Sequence, residues 1–163
     1  MSFCRHLISV YRVRHFIDRN KSTGFVLSKA QKAIVLLLYI YYGTLAKLVY
    51  GAFLPYKATI GKNVDFVHSL YGVFISQGAI VGDDCKILHH VTIGSDVPMS
   101  DSDEIGNAPV IGDRVFIGCN SNIIGKTIVG NDCRIGAGTT IVNGCIDHNS
   151  TVVGGQFRVF YPK

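Results

Sequence analysis

The chain has 163 residues, 48% of them hydrophobic, with five cysteines, no tryptophan and a formal net charge of +5. That length allows one domain with a real core and no disulfide framework. The N-terminus, MSFCRHLISVYRVRHF, has neither a continuous apolar stretch nor a small-residue cleavage site, so export is not expected; reduced thiols in a cytoplasmic protein are.

The charge is uneven. Residues 1–57 hold nine basic residues against the single acid Asp18, while the remainder holds seven basic and ten acidic ones. Such a basic head faces solvent, an anionic membrane surface or nucleic acid. No aromatic-plus-basic RNA motif or zinc spacing accompanies it, which argues against the last.

The first 52 or so residues read as helical. Phe3, Leu7, Val10, Tyr11, Val13 and Phe16 keep one face apolar, and NKSTG (20–24) is a turn. A second helix is expected from about Leu27 to Tyr50, with AIVLLLYIYYGTL (33–45) uncharged throughout. Thirteen such residues fall short of the roughly 20 that span a bilayer. Packing against other subunits is the plainer reading, contact with a membrane interface the sharper one, and a transmembrane span the least favoured of the three left open.

From Ala58 the period changes to six. Aliphatic residues lead successive blocks at Ile60, Phe66, Ile75, Val81, Ile87 and Ile93, and again after a loop at Ile111, Ile117, Ile123, Val129, Ile135 and Ile141. Mostly small or β-branched residues take the fifth place: Val64, Leu70, Ala79, Cys85, Val91, Val115, Ser121, Thr127, Cys133, Thr139 and Cys145. Both places are expected to face inward in a parallel β-helix, which explains Cys85, Cys133 and Cys145 as small buried hydrophobes.

These blocks resemble the left-handed parallel β-helix acetyltransferases with hexapeptide repeats. The branch is serine acetyltransferase-like, and within it the chain is most similar to the colanic-acid and capsular polysaccharide O-acetyltransferases. The resemblance covers residues 58–159 and extends into the head through SVYRVRHF (9–16). It implies a mainly β fold: a helical segment over residues 1–52, then a left-handed parallel β-helix over 53–163 with a loop at 95–109. It further implies a homotrimer, acetyl-CoA as donor, no metal, and active sites between neighbouring subunits.

One interval breaks the count: nine residues separate Phe66 from Ile75, across DFVHSLYG. With three faces to a turn, Phe66, Ile87, Ile117 and Ile135 share a face, and the residues two further on are His68, His89, Cys119 and Ala137. Stacked strands lie about 4.8 Å apart, so His68 and His89 should be neighbours beside a bulged corner. Acetyl transfer to an alcohol needs a base near neutral pKa. DFVHSLYGVFI resembles the family motif in which a histidine is that base, and His68 falls on it. His89, in I-x-x-x-V-T, falls where an acceptor or oxyanion would be held, with His90 beside it.

Three departures from the serine enzymes point to a sugar hydroxyl. Where their histidine is oriented by an aspartate, this chain has Phe53; Asp65, at a different corner, or a backbone carbonyl would have to substitute. Where they present an Arg-His pair, it reads EIGNAPVI, with Asn107 and Ala108. Their large helical domain is reduced to about 52 residues.

The loop is expected to be a flap whose acids, Asp96 among them, hydrogen-bond a saccharide, or else a passive insertion. Gly118, Gly136 and Ala137 would line the pantetheine arm, with Lys126, Arg134 and Arg158 on phosphates, although repeat corners also require such glycines. The acceptor is expected to be a saccharide, lipid-linked at the inner face of the cytoplasmic membrane, with residues 1–50 touching that membrane. A serine O-acetyltransferase, a trimeric zinc enzyme like the γ-type carbonic anhydrases and a non-catalytic scaffold remain as alternatives.

Overall fold

The computed structural model describes residues 29–97 and 106–154. The first expected helix, Cys4, the loop acids Asp101, Asp103 and Glu104, and Arg158 lie outside the described residues.

Helix α1 (Lys29–Tyr50) leads into a parallel β-helix of three faces. The first face stacks β1 (Thr59–Ile60), β4 (Ile80–Val81), β7 (Val110–Ile111), β10 (Ile128–Val129) and β13 (Cys145–Ile146). The second stacks β2 (Asp65–Leu70), β5 (Lys86–Ile87), β8 (Phe116–Ile117), β11 (Arg134–Ile135) and β14 (Thr151–Val152). The third stacks β3 (Phe74–Ile75), β6 (Thr92–Gly94), β9 (Asn122–Ile124) and β12 (Thr140–Val142).

The leading aliphatics fill the interior. Ile75, Ile87, Ile93, Ile117, Ile123 and Ile135 have no exposed surface. The fifth-place residues from Val64 to Thr139 are buried beside them, and their polar atoms find partners. Ser121 Oγ donates to the Gly136 carbonyl at 2.9 Å, and Cys85 and Cys133 Sγ lie 3.1 and 3.0 Å from the carbonyls of Gly112 and Asp147.

One edge is fastened by a side-chain ladder. The backbone N–H groups of Lys62, Asp83, Asp113 and Asn131 donate in turn to Asp83 Oδ1, Asp113 Oδ1, Asn131 Oδ1 and His148 Nδ1, at 2.6–2.9 Å. Each corner thus takes its acceptor from the next coil.

The six-residue count fails at the far end. Val129 pairs with Ile146 and Ile135 with Val152, so the coil after Ile141 is one residue short. The expected burial of Cys145 is therefore wrong: it pairs with Ile128 on the outer side of the first face and is exposed. The tight corner at Asn143 and Gly144 is the physical cause. Gly144 takes the fifth place, its carbonyl accepting from Ile128 N–H at 2.8 Å, as the Thr127 carbonyl does from Val110 N–H one coil earlier at 2.9 Å.

Helix α1 ends on Gly51, in the left-handed region at φ 58°, whose N–H donates to the Lys47 carbonyl at 3.2 Å. Tyr39, Tyr42, Ala46 and Tyr50, at helical spacing, pack on the core. The opposite face carries Ile34, Leu37, Leu38, Tyr41 and Leu48, all exposed. The stretch Gln31–Tyr50 is 20 residues of mean hydropathy 1.7, long and apolar enough by composition to cross a membrane. The expected shortfall applied only to its uncharged centre.

Two measurements check this core. Ile117→Ala should cost about 2–5 kcal/mol of stability in urea unfolding, because it opens a cavity in the stack. N-ethylmaleimide should label Cys145 in the native protein but Cys85 and Cys133 only after unfolding; burial also pushes the Cys85 thiol pKa up, leaving little thiolate to react. A native protein with Cys145 protected would restore the six-residue count to the last coil.

Candidate active site

The second-to-third-face corner repeats one backbone device. The residue on the bend is left-handed, at His90 (φ 55°), Asn120 (φ 57°) and Gly138 (φ 68°). The Asn120 and Gly138 N–H groups donate to the carbonyls of His89 and Cys119 in the preceding coil, at 3.2 and 2.8 Å. In the first coil the His90 N–H donates instead to the Tyr71 carbonyl, at 2.7 Å, and Gly72 (φ 62°) takes the bend. The three extra residues therefore lie before the corner proper. They add a second left-handed residue, Ser69 (φ 62°), and leave His68 on an exposed step at the end of β2.

The step brings three imidazoles together. The His68 and His89 rings are 5.5 Å apart, edge to face, as are those of His89 and His90. His90 lies over Gly72, where a Cβ would come within 2.3 Å of its Nδ1, so only glycine leaves room for the ring. His89 is half-buried, and its Nδ1 is buried with no hydrogen-bond partner. An unsatisfied buried polar atom costs about 1–3 kcal/mol. With Nδ1 buried, Nε2 is the ring nitrogen left to meet a ligand. His68 lies beside it and is exposed.

Neither Asp65 nor a backbone carbonyl hydrogen-bonds the His68 ring among the described residues; its contact there is His89. Asp65 is not at a corner but on β2, in register with Lys86. Phe53 stacks on Phe74 at 5.0 Å, with Lys47 Nζ 5.3 Å above the Phe53 ring. Tyr50 meets Tyr71 at 4.9 Å, and the Tyr50 carbonyl accepts from Gly72 N–H at 2.8 Å, which ties the end of α1 to the histidine corner. These aromatic contacts were not foreseen; the tyrosine and glycine of SLYG, inside the broken count, were the available signal.

The other expected residues are spread around the coil. Asp96 and Lys126 share the third-to-first-face corner, where Asn143 Nδ2 donates to Asp96 Oδ2 at 2.9 Å and Asn143 Oδ1 accepts from Lys126 N–H at 2.8 Å. They do not meet the histidines within one chain. Arg134 lies over the Phe116 ring at 5.0 Å, in the middle of the second face. A Cβ on Gly118 would come within 2.5 Å of the Ala137 backbone, and one on Gly136 within 2.9 Å of Val153, so coil stacking alone accounts for both. Ala137 is exposed at the histidine edge, Cys119 is half-buried one coil from His89, and Asn107 is half-buried where the described chain resumes. Among the described residues, no three His, Cys, Asp or Glu side chains are grouped to hold a metal.

Comparison with known proteins places this geometry. The family described as bacterial transferase hexapeptide (six repeats) matches residues 108–143. WcaB of Escherichia coli strain K12, which carries the name of a colanic acid biosynthesis acetyltransferase, is 34% identical over 155 residues, covering 94% of this chain and 88% of that protein. The chain belongs to the hexapeptide-repeat acetyltransferases. As a member it is an acyltransferase.

Two solved members share the fold. Serine acetyltransferase from Brucella abortus strain S19, in complex with coenzyme A, is 25% identical with a TM-score of 0.69, over 96% of this chain and 55% of that one. Isoform 3 from Entamoeba histolytica, in complex with cysteine, is 23% identical with a TM-score of 0.72, over 99% and 51%. The chain thus spans about half the length of these solved acetyltransferases.

Gly72→Ala tests the corner. It should move the imidazole NMR resonances of His90 and His89 and leave the far-ultraviolet circular dichroism of the β-helix intact. Unmoved resonances would mean that the His90 ring is not seated on Gly72.

Proposed function

We propose that the chain transfers acetyl from acetyl-CoA to a sugar hydroxyl of an exopolysaccharide repeat unit, with His68 as general base. The observation that carries this is the exposed His68 step against His89, at the one interval where three residues are added to the coil. The relationship to WcaB over nearly the whole of both chains supports a saccharide acceptor, and the coenzyme A complex of the Brucella enzyme supports the donor.

In this reading His68 takes the hydroxyl proton as the sugar oxygen attacks the thioester carbonyl. His89 Nε2–H donates to the acceptor oxygen or the developing oxyanion. Collapse of the tetrahedral intermediate breaks the C–S bond, and the His68 imidazolium returns its proton to the departing thiolate. Serine remains the second reading, because the two solved neighbours described above are serine acetyltransferases.

A homotrimer is part of the proposal. The in-register column Ile80, Val110 and Ile128 leaves exposed aliphatics on the outer side of the first face, a strip suited to subunit packing. Asp96, Lys126 and Arg134 would reach a site only across such an interface. Asn107 and Asp65 on the acceptor, and Gly118, Gly136, Ala137 and Arg158 on coenzyme A, keep their proposed roles. A cytoplasmic location, at the inner membrane face, accords with the free cysteines and the exposed apolar face of α1.

The test is release of coenzyme A from acetyl-CoA with L-serine in one arm and a panel of oligosaccharides in the other. Turnover is expected with a saccharide only, and His68→Ala should lower it by ~10²–10⁴-fold. Turnover with serine alone would overturn the acceptor; full activity in His68→Ala would overturn the base.

A further inference from the structure

A crevice of about 220 Å³ separates α1 from the first coil. Tyr39, Gly43, Thr44 and Lys47 line it from the helix, and Ala52 and Phe53 from the coil. We infer that this crevice binds the phosphate headgroup of an amphiphile whose chain lies along the outward face of α1.

Charge is the first support. From Lys29 to Val64 the chain has five lysines and no acid, and Lys47 has no carboxylate partner among the described residues. Its ammonium is held 5.3 Å above the Phe53 ring, over the crevice wall. Thr44 and Tyr39 line the same space, so the cation sits in a cleft of mixed polar and apolar lining.

Shape is the second. Glycine in a helix interior costs roughly 1 kcal/mol relative to alanine. Gly43 sits mid-helix and lines the crevice, where any larger side chain would fill it. The volume is below the roughly 300–1,000 Å³ of pockets that enclose whole ligands, so the cleft takes a headgroup and the start of a chain.

Continuity is the third. Ile40 lines the crevice and is also 52% exposed, so the cleft opens onto the apolar face of Leu37, Tyr41 and Leu48. At its other wall Phe53 stacks on Phe74, two residues beyond the Gly72 that seats His90. A phosphate at Lys47 therefore lies between a membrane-facing surface and the histidine corner. Resting on the proposed acetyl transfer, this identifies the acceptor class as a lipid-phosphate-linked saccharide.

Calorimetric titration of the full chain, without acetyl-CoA, tests the crevice apart from the reaction. The probes are decyl phosphate below its micelle concentration, decyl maltoside and inorganic phosphate. Decyl phosphate is expected to bind saturably, and the other two about tenfold or more weaker, because each lacks half of the recognised chemistry. Lys47→Gln should weaken decyl phosphate about tenfold, Lys47→Arg should restore it, and Gly43→Leu should abolish it. Decyl maltoside binding equally well, or Lys47→Gln binding unchanged, would overturn the phosphate site. Inorganic phosphate binding equally well would overturn the lipid as its source. A chain that binds decyl phosphate but transfers no acetyl would sink the reaction and uphold the crevice.

Discussion

The described β-helix is set by one constraint: each coil must place its backbone N–H groups against the carbonyls of the next. The pairing Asp65–Lys86–Phe116–Arg134–Thr151 runs in register down the second face, and the other faces do the same. A β-helix built this way has no separate strands to shift independently, because moving one side of a coil drags its corners. A side chain placed on an edge is therefore fixed by the whole stack, even though most of the strands are only two or three residues long.

Departures from the count are where function can enter. A lost residue near Asn143 turns Cys145 outward and does little else visible. The three residues gained before Gly72 have more effect, because they add a second left-handed residue while the corner itself still closes on Tyr71. His68 is displaced from the ladder yet remains within ring contact of His89. The end of α1 closes onto the same corner through Tyr50, so the helix, the inserted step and the histidines form one connected unit.

The β-helix and the pairing of His68 with His89 were legible from the six-residue period, since burial of a leading aliphatic residue in every block leaves few other folds. The short coil was not legible: I-VNGCI satisfies the period on paper, and only the Ile128–Gly144 hydrogen bond shows which residue takes the fifth place. The placement of Asp96 and Lys126 was likewise hidden, because a residue's corner depends on how many residues the loop spends before the coil resumes. Glycines misled in the other direction. Gly118 and Gly136 read equally well as cofactor wall or as stacking necessity, and their close approach to the next coil favours the second.

The aromatic group beside the site carries the remaining argument. A carboxylate at position 53 would hold a histidine by charge and hydrogen bond and would be indifferent to the acceptor. Phe53 cannot do this, and its ring is committed to Phe74 and Lys47. In the proposed reaction, orientation of His68 would then come from its contact with His89 and from the acceptor itself, which would couple base and acceptor. Such a site would be poorly ordered for catalysis when empty and become competent as its acceptor docks, which is a way of making water a poor substitute for the sugar hydroxyl. In the same proposal, the cost of the unsatisfied Nδ1 of His89 would be tolerated because the ring is held for its other nitrogen.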